Sequence, residues 1–293
     1  MNLHKKHIVF SILMIVSCSL YSQDFDSLLN SMTNEPIQYT TATFKSSRIV
    51  NGHSVEQMKA NELDFRIFHR FGPINSGAYE FFGIDKYSNV GLSFEYGIKD
   101  WLMAGVGRDN SKNADFFLKT RLLRQCKGDK NIPVTVTWLS SAELNYTKWD
   151  NPDRANLFSS RLSYVNQILI ARKFNESLSL QISPTIVHRN LVKTVIEPND
   201  LYSIGVGGRY KITKRMAVVS EYYYVYHPIK IVGDPKANSL SFGLDMETGG
   251  HVFTIVLTNS FRNMDKAFIT ETTDNWKHGD MHLGFNISRV FSL

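Results

Sequence analysis

Glu62-Leu63-Asp64-Phe65-Arg66-Ile67-Phe68-His69-Arg70-Phe71 places an apolar or aromatic side chain at every second position. Leu63, Phe65, Ile67, His69 and Phe71 share one face of an extended chain; Glu62, Asp64, Arg66, Phe68 and Arg70 share the other. A period of two is that of a β-strand with unlike faces, whereas an amphipathic helix repeats near 3.6. The same dyad recurs along the chain. Val90, Leu92, Phe94, Tyr96 and Ile98 alternate with Gly91, Ser93, Glu95 and Gly97, and Phe116, Leu118, Thr120 and Leu122 alternate with Asp115, Phe117, Lys119 and Arg121. Leu240 to Glu247 and Met281 to Ser288 repeat it late in the sequence.

Alternation alone does not separate a soluble sandwich from a membrane barrel, because both bury one face of each strand. Three features favour the barrel. The runs extend to about 9 to 12 residues, the length that crosses a bilayer at a steep tilt. Gly91, Gly97, Gly105, Gly107, Gly205, Gly207, Gly243 and Gly284 crowd the polar face, where a curved, narrow lumen needs small residues. Trp101, Trp138 and Tyr222-Tyr223-Tyr224 fall in or at the ends of strands, where an aromatic girdle would lie.

The pattern predicts twelve strands, over 62–71, 88–98, 101–109, 114–124, 133–145, 157–173, 177–188, 201–212, 216–226, 239–247, 251–260 and 280–291. Short turns at Lys99-Asp100, Asn175-Glu176, Thr213-Lys214-Arg215 and Thr248-Gly249-Gly250 alternate with longer breaks, apart from a short one at 110–113. Bacterial outer-membrane barrels put short turns in the periplasm and long loops outside, so an even count returns both ends to the periplasm. Thr41 to Val50 reads as one more strand. Adding it alone gives thirteen, so residues 23–61 are expected to form a periplasmic arm or an inward plug, with a barrel of fourteen strands as the competing count.

Composition agrees with a folded chain: 43% of the 293 residues are apolar and only 20% charged, too apolar for disorder. No apolar run is long enough for a spanning helix. Met1 to Lys6 is basic, Ile8 to Val16 apolar, and Leu20-Tyr21-Ser22 offers a cleavage site before Gln23, so residues 1–22 are expected to be a secretory signal peptide. Its removal takes away Lys5 and Lys6 and no acid, which lowers the formal net charge from +6 to +4, too mild for a nucleic-acid partner. Ile15-Val16-Ser17-Cys18 also matches a weak lipobox in which Cys18 would carry lipid. Otherwise Cys126 is the only cysteine of the mature chain, and no intramolecular disulfide forms.

The runs Thr43 to Arg48, Asn51-Gly52-His53-Ser54-Val55-Glu56 and Leu63 to Gly72, the last containing His69-Arg70-Phe71-Gly72, resemble the opening of an uncharacterised β-barrel family of Bacteroidota outer-membrane proteins. Phe81-Phe82-Gly83-Ile84-Asp85, Tyr96-Gly97-Ile98-Lys99-Asp100 and Gly105-Val106-Gly107-Arg108 continue the resemblance over nearly the whole mature chain. The resemblance implies a barrel and an outer-membrane address, and no activity or catalytic residue. The C-terminus departs from the usual insertion signal, with Phe291 third from the end, Leu293 terminal and Arg289 interrupting the outward row.

The polar face carries Arg66, Arg70, Lys119, Arg121, Arg161 and Arg209 beside Asp64, Glu95, Glu221 and Asp245. All are expected to line the lumen. An excess of cations would favour anions in a pore, but in a narrow lumen such charges more readily pair and fill it. His69 and Arg70 face opposite ways and are not expected to cooperate. Some twelve-stranded barrels are phospholipases with a lipid-facing Ser and His; His188 and Ser220 face outward here, but no motif joins them, so no catalytic site is expected. The mature histidines are scattered, Gly205-Val206-Gly207-Gly208 lies in a strand, and neither a metal nor a cofactor is expected.

The sequence therefore predicts an all-β, antiparallel outer-membrane barrel over 62–293 with a narrow polar lumen, in contact with outer-membrane lipid and inserted by the barrel-assembly machinery. Two functions fit: a narrow channel for small solutes, or a closed barrel that anchors an envelope protein partner through its loops and 23–61. The loop 261–279, with Phe268, Ile269 and Trp276, is expected either to dock a partner or to fold into the mouth as a lid.

Overall fold

The computed structural model describes residues 36–226 and 236–293. The expected signal peptide and Cys18 lie outside the described residues. The chain divides into two compact units, one made of the stretch up to Thr40 with Gln125–Pro133, the other of Thr41–Arg124 with Val134–Leu293. In the smaller unit, β1 (Gln38–Tyr39) pairs antiparallel with β6 (Cys126–Lys127), and the buried free thiol of Cys126 approaches the Lys130 carbonyl at 3.4 Å.

The larger unit is a barrel. Its strands are β2 (Glu62–Pro73), β3 (Ser88–Lys99), β4 (Leu102–Asp109), β5 (Asn113–Leu123), β7 (Thr135–Asn145), β8 (Leu162–Lys173), β9 (Leu178–Arg189), β10 (Asp200–Lys211), β11 (Met216–Tyr226), β12 (Ser239–Thr248), β13 (His251–Thr258) and β14 (His282–Ser292). Each pairs antiparallel with its chain neighbours, and β14 pairs with β2, so twelve strands close on themselves. Closure satisfies every strand's backbone donors and acceptors without an open edge, the condition for crossing hydrocarbon with strands. Among the described residues, no helix is long and apolar enough to cross a membrane.

The dyad read in the sequence is the wall of this barrel. Along β2, Asp64, Arg66, Phe68 and Arg70 are buried inside, while the alternate residues are half-buried on the outside. Exposed Leu92, Phe94, Val106, Phe116, Ile182 and Ile204 belong to an apolar outer belt, with Trp101 and Trp138 also exposed, as a lipid-facing surface requires. Tyr223 departs from the expected girdle: Tyr222 and Tyr224 point out, but Tyr223 is buried inside. The long connections after β2, β7, β9, β11 and β13 lie at one end of the barrel, the loop end, with the short one at 110–112. The tight turns after β3, β8, β10 and β12, the chain leading into β2 and the close of β14 lie at the other, the turn end.

Two expected strand assignments need correction. The barrel has twelve strands, not fourteen, and Thr41 to Val50 forms none of them: Thr43 and Phe44 N–H donate to the Glu56 carboxylate and Val50 N–H to that of Glu221, while Ile49 bonds back within the segment. The strand expected over 157–173 begins only at Leu162, because Phe158–Arg161 coils into a 3-10 turn.

Candidate functional site

Residues 43–58 occupy the inside of the barrel. Thr43, Phe44, Ser46 to Val55, Gln57 and Met58 are all buried, although no strand of the barrel includes them. The segment folds back on itself. Ser54 N–H donates to the Ser47 carbonyl at 2.9 Å and Ile49 N–H to that of Gly52 at 2.8 Å, which leaves Val50-Asn51-Gly52 as the tip. All three tip N–H groups donate to one carboxylate, that of Glu221 on β11, at 3.1, 2.8 and 3.1 Å. Buried N–H groups left unpaired are costly, and a carboxylate answers them with charge-assisted bonds. The wall supplies other partners: Gln181 Oε1 accepts from Val55 N–H at 2.9 Å, and Asn286 Nδ2 donates to the Val50 carbonyl at 2.7 Å.

Small wall residues make the room. A Cβ on Gly207 would collide with Ile49, and one on Gly97 with the Lys59 carbonyl. Serines and threonines complete the inner wall, among them Ser93, Ser141, Ser163, Ser183, Ser203 and Ser241. Phe44, Ile49, Val50 and Val55 pack with Leu169, Ala171, Val219 and Val256 of the wall as one apolar cluster.

The loop between β13 and β14 enters from the loop end. It carries α1 (Asp265–Thr270), whose Asp265, Ala267, Phe268, Ile269 and Thr270 are buried. Phe268 meets Tyr223 edge-on with ring centroids 5.1 Å apart, and Lys266 N–H donates to Glu143 on β7 at 2.5 Å. The loop is thus folded into the mouth. Inside, it reaches the 43–58 segment: Arg48 Nη1 lies 3.2 Å from Asp265 Oδ1, and His53 Nε2 is 3.3 Å from Asp265 Oδ2. The His53 contact falls outside hydrogen-bond geometry. Arg48 Nε also faces Glu95 at 3.4 Å, and its guanidinium lies over the rings of Phe68 and Phe117.

Above α1, at the loop end, opens a vestibule of about 900 Å³ lined by the connections 146–161 and 189–197, Lys236, and the stretch 262–273. Its floor includes Lys266 and Arg262, both paired to Glu271, at 3.2 and 2.8 Å. Burial raises the Glu271 pKa, but Lys266 and Arg262 outweigh it and hold the carboxyl below its ordinary range.

Residues 44–291 match the family described as membrane bound beta barrel domain (DUF5777). The chain belongs to this family. Among curated proteins, none matches. The DUF5777 chain is similar to several solved structures at low identity. The NanC porin shares 12% identity over 79% of this chain and 99% of that one, with a TM-score of 0.49. The KdgM porin shares 10% over 78% and 99%, at 0.46, and an outer membrane channel from Pseudomonas putida F1 11% over 80% and 97%, at 0.42. At scores under 0.5 these likenesses are loose, and the family match and the closed barrel stand without them.

Within the DUF5777 barrel, Arg66, Arg70, Glu95, Lys119, Arg209, Glu221 and Asp245 are all buried on the inner face. None lines an open pore. Arg66 binds Asp64 at 2.6 Å, Glu95 accepts from the Ser47 hydroxyl, and Arg70 donates to Asn51 Oδ1 and Asn286 Oδ1 at 2.8 and 2.9 Å. Lys119 Nζ donates to the Ser47 and Glu56 carbonyls, Arg209 pairs with Glu247 at 3.0 Å, and Asp245 accepts from Thr254. Arg121 continues the inward row only to the turn end, where it donates to the Asp100 carbonyl at 3.1 Å. Arg161 is a correction. It sits in the 3-10 turn at the loop end, over the Trp149 ring at 4.1 Å, and donates to the Asn145 and Thr147 carbonyls.

His69 stacks on Phe285 outside the barrel while Arg70 is buried within, so the two face opposite ways. His188 and Ser220 pair with Asp200 and Gly208 of β10. Eight residues along one strand is about 26 Å, too far for shared chemistry. His188 is instead 2.7 Å from Asp200. The sequence reading missed Arg48, His53 and Asp265, whose only local signal was a charged residue within an otherwise apolar or small run.

Proposed function

We propose that this DUF5777 barrel is an outer-membrane channel for small solutes, closed by two of its own segments. In that setting, a Bacteroidota envelope by the resemblance of its opening strands, the turn end faces the periplasm and the loop end the exterior. The observation that carries the reading is the composition of the inner wall. Gly, Ser and Thr dominate it, and the space they leave is taken by residues 43–58 and α1, neither of which belongs to the barrel. A barrel filled by its strands' own side chains cannot open without repacking its wall. Here, withdrawal of the segment leaves a polar passage while the strand hydrogen bonds stay intact.

The test is single-channel conductance of the refolded mature protein in a planar bilayer, beside a variant lacking 41–58, with heat-modifiable migration as the check on folding. Steps that become larger or more frequent in the variant support a gated channel. Silence in both folded proteins favours the second reading, an envelope anchor with a permanently filled lumen, which the dense bonding of the segment also suits.

A further inference from the structure

We infer that the vestibule at the loop end is a binding site for a soluble organic anion bearing several carboxylate or phosphate groups. Among the described residues, eight lysines and arginines line it against three carboxylates. Two of those carboxylates are engaged already: Glu197 by Arg189 at 3.3 Å, and Glu271 by Arg262 and Lys266. Lys148 and Arg154, by contrast, are exposed and have no carboxylate partner among the described residues. Arg189 and Arg262 are engaged by carboxylates, the latter also facing Asp109 Oδ2 at 4.0 Å, so the guanidinium and ammonium left to a ligand are those of Arg154 and Lys148. Guanidinium forks with spare donors are matched by carboxylate and phosphate oxygens. A volume of about 900 Å³ suits a molecule larger than a single inorganic ion.

The lumen below offers no such excess. Arg48, Arg66, Lys119 and Arg209 are each held by carboxylates or carbonyls inside the barrel. The cations without a carboxylate partner that the argument uses, Lys148 and Arg154, are thus in the vestibule, on the solute side of the closure. Its floor reaches Lys266 on α1, inside the mouth and only 13% exposed, which a lipid headgroup on the outer rim does not reach. The source is therefore a solute. An anion that takes Arg262 and Lys266 from Glu271 also removes the ion pairs that brace α1 between its two flanks, just beside the Asp265 to Arg48 contact. That the bound anion is the cargo rests on the channel reading; the binding site does not.

The experiment is calorimetric titration of the refolded mature protein in detergent with citrate and with pyrophosphate, with maltose as the neutral control. Saturable binding of either anion and not of maltose is expected, weakening about tenfold or more between about 50 mM and about 300 mM salt. In the double variant Lys148→Glu/Arg154→Glu, both changes on exposed side chains, affinity falls about tenfold or more while heat-modifiable migration is unchanged. No binding of either anion, or equal affinity in the double variant, overturns the inference. So does saturation by purified lipopolysaccharide where neither small anion binds. Binding without any conductance leaves the site standing and removes the channel; conductance without binding does the reverse.

Discussion

Arg48, from the segment that leads into β2, and Asp265, from the loop that leads into β14, meet 3.2 Å apart inside the barrel, each almost wholly buried. One side chain enters from the turn end and the other from the loop end, so this contact joins the two closures. A buried ion pair is a weak source of net stability, but stranding one member costs about 3–5 kcal/mol.

Asp265→Asn is accordingly expected to loosen both segments. Glu95 still faces Arg48, so the cost lies at the low end, about 3 kcal/mol. Limited proteolysis of residues 41–60 in the folded protein checks this, with cleavage faster than in the wild type. Equal cleavage rates would show that the contact holds nothing.

Glu221→Gln keeps the shape of the side chain, removes its charge and turns one of its two accepting oxygens into an NH2 donor that faces N–H groups. Its carboxylate serves three tip N–H groups, and bonds to a charged acceptor contribute about 1.5–3 kcal/mol each against about 1 for a neutral one. Amide hydrogen exchange at Val50, Asn51 and Gly52 should accelerate by about tenfold or more, with strand amides of β10 and β11 unchanged.

Gly52→Ala places a methyl group against the Tyr223 hydroxyl, in a core with no slack. The segment tip is expected to be displaced, with a loss of about 1–3 kcal/mol. Tyr223→Phe removes the oxygen nearest the new methyl and should recover part of that loss, so the double-mutant cycle gives a favourable coupling. Strict additivity would place the strain elsewhere.

Acid should weaken the inward loop. The Glu271 carboxyl, faced by Lys266, Arg262 and Lys236, is held below its ordinary value of 4.5 when folded. Its contribution is present above that ordinary value and is lost as pH falls through the lower folded one. Current fluctuations of the wild type should therefore rise as pH drops below about 4.5, while Glu271→Gln fluctuates at all pH values alike.

The barrel was legible because alternation is a local property. Asp64, Arg66 and Arg70 could be assigned to the inner face from their neighbours alone, and the short turns fixed the parity. The filling was not legible. Asn51-Gly52 is a turn signal, yet Thr41 to Val50 still reads as a strand, because the acceptors of its backbone N–H groups, Glu56 for Thr43 and Phe44 and Glu221 for Val50, lie farther along the chain. Arg161 was misplaced for a related reason: alternation counted backwards from Ser163 does not reveal that the chain coils at Phe158, where Arg161 locks onto the carbonyls of Asn145 and Thr147. The vestibule cations come from loops scattered between Lys148 and Lys266, and only the closed ring of strands gathers them.

β14 and β2, the last and first strands of the barrel, meet along a register running from His282↔Pro73 to Ser292↔Glu62. The segment inside the barrel immediately precedes β2, and the inward loop immediately precedes β14. Both stoppers are therefore tethered to the two strands, first and last in the chain, whose pairing joins the ends of the sheet. A sheet that curls shut along this seam carries them inward on its margins, so that sealing and stoppering are one event. With both stoppers joined directly to the strands of the seam, no separate threading step through a finished ring is required.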